Sequence, residues 1–424
     1  MAEDEAGLPG PRIGEPVVTD RPSPFLALRH REFRLLFGAF AVGDIGFWVS
    51  HISLQSEMAD VTDGSSMWLG VLFFTTFIPL LLFAPVAGVV ADRVDRKRML
   101  VVTRGTLGVL AAALSAVVLG GLGKPGALLL FGFGIGTIFA FMAPAQQAAT
   151  ANAVPAHVLT SAITLQSAGN NIARIGGPAL AAPILAFWGA GWGFALYAAS
   201  NVVMVAMLVP VHLTSQLDTQ DDLGSWERWR EGLRHARERP PAMATLKTMA
   251  VFSVFGAAVS ALYPVFASDV LGRSRRDFTF LVVASGIGAV IGALGVGFRR
   301  AAPSLRIAAV WLAASAVASF AFAMSRSWPL SLALNLLFGL CYFSLTTTLN
   351  SLLQHLADDD KRGRIMSLFV LTWGGLVPFG GIWMGIVANV AGAPLAVGIG
   401  AAVCLIYSIR VLTRTPVDYP ANAS

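Results

Sequence analysis

The sequence predicts an all-α membrane protein with about twelve transmembrane helices in two six-helix halves. Three observations predict it. Apolar runs of about 20 residues, long enough for a helix to cross the hydrocarbon core, recur from Phe33 to Leu412. Hydrophobic residues make up 55% of the 424-residue chain and charged residues only 13%, against about 25% charged in soluble domains. The Lys and Arg residues fall mainly in short connections between the runs. A backbone in lipid must bond to itself, which favours helices over open strands.

Residues 1–32 read as a cytoplasmic tail. Their start is polar, Pro-rich and acidic, with none of the apolar core of a signal peptide. The first half, 33–213, takes six spans: Phe33–Ala59, Trp68–Ala91, Met99–Gly120, Gly126–Thr150, Ala162–Trp188 and Gly191–Val211. The turn before the sixth is Gly189-Ala190-Gly191. Residues 214–247 form the longest connection, polar and mixed in charge, with Trp226, Trp229 and Leu233 at helical spacing. They predict an amphipathic helix: a plain linker between the halves, with a calmodulin-like target or a helix lying on a lipid surface as the alternatives. The second half, 248–412, takes Met249–Val270, Phe278–Phe298, Leu305–Met324, Pro329–Leu356, Ile365–Val390 and Pro394–Leu412, and 413–424 is a second tail. The 43 glycines suit close helix packing in membranes. Cys341 and Cys404 fall inside apolar runs, without zinc spacing or a disulfide framework, and read as packing residues.

The sequence pI of about 9.7 does not point to nucleic acid, because the basic residues follow the positive-inside pattern. With the amino terminus inside, the inner side receives Arg29, Arg31, Arg34, Arg93, Arg96, Lys97, Arg98, the Arg228–Arg239 group, Arg299, Arg300, Arg306, Lys361, Arg362 and Arg364. The outer side holds only Lys124, Arg273, Arg275, Arg276 and Arg326. The Arg273-Ser274-Arg275-Arg276 cluster is the exception to the rule, and an anionic substrate or lipid is one reading of it. Both termini are therefore expected on the cytoplasmic side of the cell (inner) membrane.

Charges inside the spans need a partner, water or a purpose, since each costs at least about 2.5–3.5 kcal/mol at mid-bilayer. On the first span Asp44, Trp48, His51 and Gln55 form one stripe, spaced by four, three and four. On the fifth, Gln166, Asn170 and Arg174 form another, with Asn171 beside it. Asp44 and Arg174 each lie about eleven residues, roughly 16 Å, from the inner end, so an Asp44–Arg174 pair is expected. It reads either as a static strut or as a titrating, substrate-facing charge, and the sequence leaves both open. His51 reads either as a proton relay or as a hydrogen-bonded histidine. Trp48, His51, Gln55, Gln166, Asn170, Asn350, Gln354 and Trp373 are the candidate cavity residues.

Between the second and third spans stands Gly88-Val-Val-Ala-Asp92-Arg93-Val-Asp95-Arg96-Lys97-Arg98. It resembles the signature loop of the major facilitator superfamily, with Asp95 where a glycine is commoner. The resemblance implies an inner gate built from Gly88, Asp92, Arg93 and Arg96, latched near the start of the eleventh span with Arg362 and Arg364. Lys97 and Arg98 read as topological charges. The matching loop of the second half keeps Gly295, Gly297, Arg299 and Arg300 but lacks the acid. Arg174-Ile-Gly176-Gly177-Pro178 resembles the fifth-helix motif of facilitator antiporters. Gln354 to Met366, Pro378-Phe-Gly380-Gly381, Gly385, Leu28–Arg34 and Asp44 together are similar to the exporter branch that includes enterobactin and macrolide efflux proteins. The fourth span lacks the arginine that many drug–proton antiporters carry there.

The resemblance implies a secondary transporter: proton-coupled efflux of a small amphipathic drug, siderophore or metabolite, by two halves rocking about a midplane site. The alternatives are an uptake symporter of the same fold and a non-transporting receptor or scaffold. No enzyme motif and no P-loop is present in the sequence. No cofactor, metal or nucleic acid is expected, protons and the lipid bilayer are the expected partners besides substrate, and family precedent implies a monomer.

Overall fold

The apolar runs fold as helices because nothing in a bilayer can bond to the backbone except the chain itself. The computed structural model describes residues 25–212, 233–297, 302–357 and 362–414; within these, the side chains of residues 84, 85, 88, 89, 91–93, 156, 297, 362–364 and 414 lie outside the description. The described residues hold twelve long helices. They are α1 Arg31–Val61, α2 Ser66–Arg93, α3 Arg96–Leu119, α4 Pro125–Asn152, α5 Leu159–Phe187, α6 Ala190–Leu208, α7 Pro240–Phe255, α8 Phe278–Gly297, α9 Leu305–Met324, α10 Trp328–Leu356, α11 Arg362–Ala391 and α12 Ala393–Arg414. Among the described residues, eleven spans are long and apolar enough to cross a bilayer, and α5 is the exception. Gln166, Asn170, Asn171 and Arg174 dilute its hydropathy, and packing against α1 and α8 shelters it.

The helix ends follow local chemistry. Pro125 occupies the first turn of α4, where its missing N–H costs nothing. Asp95 caps α3 by accepting from the Arg98 backbone N–H at 2.8 Å, and Ser304 caps α9 through Ile307 N–H at 3.3 Å. Gly189, with φ +84°, and Gly392, with φ +90°, make the two tight turns into α6 and α12 in a region that L side chains avoid. At the other polarity, basic side chains bond the last carbonyls of several helices, where the dipole favours cations. Lys97 Nζ donates to Val209 O at the end of α6, and Arg239 Nη1 to Leu356 O at the end of α10, both at 2.6 Å. Lys97 therefore does more than mark topology.

The seventh span departs from expectation. It starts at Pro240, nine residues before Met249, so the end of the expected 214–247 linker belongs to a membrane helix. Residues 233–238 are helical, whereas Trp226 and Trp229 lie outside the described residues. Beyond Gly256 the chain continues as a 3₁₀ segment, Ala257–Leu262, a turn at Tyr263–Val265 and a π turn at Phe266–Val270. Pro264 cannot continue an α ladder. One carbonyl at the break, Val254 O, accepts from the Trp383 indole of α11 at 2.7 Å.

The helices form two bundles. In the first, α1 packs on α5 and α6, α3 on α4 and α6, and α2 on α4; in the second, α8 and α9 pack on α10, α9 on α12, and α7 on α11. The halves meet chiefly where α2 crosses α11 and α5 crosses α8. At the first crossing Gly70, Gly381 and Gly385 let the backbones touch: a Cβ on Gly70 would fall 2.6 Å from Gly381 O. The outside of the molecule is apolar, with Val109, Phe187 and Val390 at 73%, 78% and 83% exposed, while Arg104 is fully buried. This inversion of the water-soluble pattern suits a lipid-bathed surface.

Candidate functional site

The α1 stripe enters the first bundle at Asp44. Its partner is Arg104 of α3, whose Nη2 donates to Asp44 Oδ1 at 3.3 Å and lies 3.4 Å from Gln146 Oε1 of α4. Arg104 thus ties three helices together at one buried point. A Cβ on Gly43 would come 2.8 Å from Arg104 Nη1, so the glycine makes room for the guanidinium. Arg104 Nε and Nη1 are buried and without hydrogen-bond partners, as are Tyr197 Oη and Asn201 Oδ1 of α6. Side chains therefore only part-satisfy this network.

The expected Asp44–Arg174 pair does not form. Arg174 Nη2 instead donates to Asn171 Oδ1 at 2.5 Å, and its guanidinium carbon lies 3.7 Å from the centre of the Phe343 ring on α10. Equal depth along two helices does not place two side chains on facing sides. The α5 face that meets α1 is carried by Gly169, against Phe37, and Gly177, against Trp48 and Ile45. Arg174 lies off that face, toward the second half. Arg104 is hard to single out in the sequence because it follows the basic run Arg96-Lys97-Arg98 by only six residues. The usable signal was that it stands eight residues inside its helix, roughly 12 Å from the end, too deep to be a surface charge.

The candidate cavity residues fall into separate groups. His51 and Gln55 bond each other at 3.2 Å, Nε2 to Nε2, and line a small pocket with Leu72, Phe73, Thr76 and Ala261. Phe47, Trp48 and Phe77 enclose the His51 ring, at 6.2, 5.9 and 6.0 Å between centroids. Gln166 Nε2 donates to Asn170 Oδ1 at 3.1 Å, and Gln354 Nε2 to Asn350 Oδ1 at 2.6 Å, in each case one helical turn apart. Trp373 Nε1 donates to Tyr342 Oη at 3.0 Å, and Tyr342 stacks on Phe343. Asn171, Arg174, Tyr342, Phe343 and Trp373 therefore form one group between the halves. Asn170, Gln354 and Trp373 are solvent-accessible. Of the expected inner gate, Arg96 opens α3; the side chains of Asp92, Arg93, Arg362 and Arg364, and Gly88 with them, lie outside the described residues.

The arginine cluster that breaks the charge rule has a structural job. At the face opposite the amino terminus, Arg275 Nη1 donates to Ala59 O of α1 at 3.2 Å and Arg276 Nη1 to Leu185 O of α5 at 2.6 Å. Arg276 Nη2 also lies 3.5 Å from Asp60 Oδ2. The second half thereby clasps the carboxyl ends of two first-half helices, where cations are favoured. Chemically, the bundle thus combines a protonatable carboxylate facing a fixed cation, a second cation between the halves and a clasp across the far face.

Residues 22–422 match the model of the transmembrane secretion effector family. The staphyloferrin A transporter of Staphylococcus aureus is 22% identical over 355 residues, spanning 82% of this chain and 87% of that protein. The enterobactin exporter EntS of Shigella dysenteriae is 24% identical over 363 residues, 83% and 78% of the two chains. Macrolide efflux protein A of Streptococcus pyogenes is 25% identical over 241 residues, 55% and 58%. Among solved structures, the D-xylose-proton symporter superposes with a TM-score of 0.72 at 14% identity, covering 91% of this chain and 98% of that one. The nucleoside transporter NupG gives 0.70 at 14%, covering 91% and 100%. At such identities these two likenesses speak for the fold alone.

Proposed function

The chain belongs to the transmembrane secretion effector family, and from that premise we propose that it exports a small amphipathic molecule by alternating access, in exchange for protons. The observation that carries the proton coupling is the Asp44–Arg104 pair, a carboxylate and a fully buried guanidinium 3.3 Å apart inside the spans. A proton arriving on Asp44 removes the charge that Arg104 faces and loosens α1 from α3; its departure restores the tie. Since α1 also packs on α5 and abuts the inter-half contacts, the protonation state of Asp44 biases how the halves sit.

Substrate binds between the halves, where aromatic and amide side chains of α5, α10 and α11 combine apolar surface with a few polar anchors. Export rather than uptake is supported by relatives named as an exporter and an efflux protein. The positive-inside asymmetry supports placing the multi-pass chain in the cell membrane with both termini cytoplasmic, and a single chain is the working unit.

The test is transport by everted membrane vesicles across a panel of amphipathic antibiotics, siderophores and dyes, with and without an imposed pH gradient. Uptake of at least one compound is expected only with the interior acid, and Asp44→Asn abolishes the gradient-driven part. Full gradient-driven transport by Asp44→Asn would remove Asp44 from the coupling.

A further inference from the structure

We propose that Arg174 is an anion-recognition residue, and that the substrate carries a carboxylate or similar planar anion beside an aromatic or apolar body. The inference rests on the transport reading, since it takes the space between the halves as the substrate site.

Charge is the first argument. In the central part of the spans, the described residues include two guanidiniums, Arg104 and Arg174, and one carboxylate, Asp44. Arg104 takes the carboxylate. Arg174 has no acidic partner among the described residues; its neighbours are the Asn171 amide and the Phe343 ring. An uncompensated cation at this depth is costly, and an anion bound beside it relieves that cost.

Geometry is the second. Stacking on Phe343 occupies a face of the guanidinium, not its hydrogen-bonding edge. Of its five N–H donors, the contact with Asn171 takes one. Nε and Nη1 of Arg104 are buried without partners, but no nitrogen of Arg174 is in that condition, so its unused donors keep accessible surface. Phe343 and Asn171 hold the fork in one orientation, as two-point recognition of a carboxylate needs. Beside it lie Tyr342 and Trp373, whose indole is already bonded to the Tyr342 hydroxyl. That leaves the exposed Trp373 ring for an apolar body and the Tyr342 O–H as a further donor. The site thus distinguishes anionic from neutral or cationic amphiphiles.

The experiment measures binding by equilibrium dialysis of the full-length protein in lipid nanodiscs, with empty nanodiscs subtracted. The probes are 2-naphthoate and its neutral counterpart 2-naphthylmethanol. Wild type is expected to bind 2-naphthoate about ten-fold more tightly than the alcohol, the scale of one charge-assisted fork. Arg174→Gln erases that preference, Arg174→Lys keeps part of it, and Phe343→Leu weakens naphthoate binding several-fold by unseating the fork. Equal binding of the two probes by wild type, or a preference that survives Arg174→Gln, overturns the proposal. Should Arg174→Gln fail to fold, the wild-type probe pair and Phe343→Leu still decide. No gradient is present, so failure here leaves export standing, and failure of gradient-driven transport leaves this site standing.

Discussion

The Arg104 guanidinium of α3 lies 3.3 Å from the Asp44 carboxylate of α1, with Gln146 of α4 on the same nitrogen. Removing one partner of such a pair strands the other charge inside the bundle, at about 3–5 kcal/mol. Asp44→Leu and Arg104→Met should each lower the detergent melting midpoint strongly. The double variant should cost less than the sum, with a coupling of at least about 1 kcal/mol. Additive losses in the thermal cycle would mean that the two charges are held independently.

Arg276 fastens the far face through Leu185 O and Asp60. The ion pair is partly exposed, at 42% and 36%, so Arg276→Ala should release at most about 1 kcal/mol, roughly a five-fold shift between closed and open populations. Cys341 and Cys404 are buried, so spin labels at Lys124→Cys and Arg326→Cys, one on each half, report this face selectively. The distance distribution should broaden toward longer separations in Arg276→Ala. An unchanged distribution would show that the clasp does not hold the face shut.

Gly70 touches α11 backbone at Gly381 and Gly385. Gly70→Val should force α2 off α11 and cost about 1–3 kcal/mol, whereas Gly105→Val, at a position with open space, should change the melting midpoint little. Equal effects of the two substitutions would argue against close packing at this crossing.

Asp95 replaces the glycine commoner at that place in the signature loop, and it caps α3. Asp95→Ala should cost about 1 kcal/mol and Asp95→Gly only a few tenths, the usual ranking at an N-cap. Melting midpoints of the two variants check this, and a larger loss for glycine would point to a role for the carboxylate beyond the cap.

Much of the architecture was legible in the residues. Run length and charge scarcity placed the spans, and the turn at Gly189 was visible as a small-residue cluster. The seventh span starts earlier than its hydropathy indicates because Thr245 and Lys247 lower its early hydropathy, although Pro240 and Pro241 mark a helix start. In the site, the α1 stripe and the polar face of α5 were readable from spacing, because helical period alone sets them. The partner of Asp44 was not readable, and neither was the purpose of Arg275 and Arg276.

The amino-acid sequence by itself determined the medium, the helices and the depth of each charge, since a rise of about 1.5 Å per residue is a property of one helix. The tertiary structure alone decided which charges meet. That depends on how each helix is turned about its axis, and small residues at the helix contacts set the turn: Gly169 and Gly177 seat α5 on α1, and Gly43 makes room for Arg104. Asp44 therefore faces Arg104, and Arg174 is left to the space between the halves.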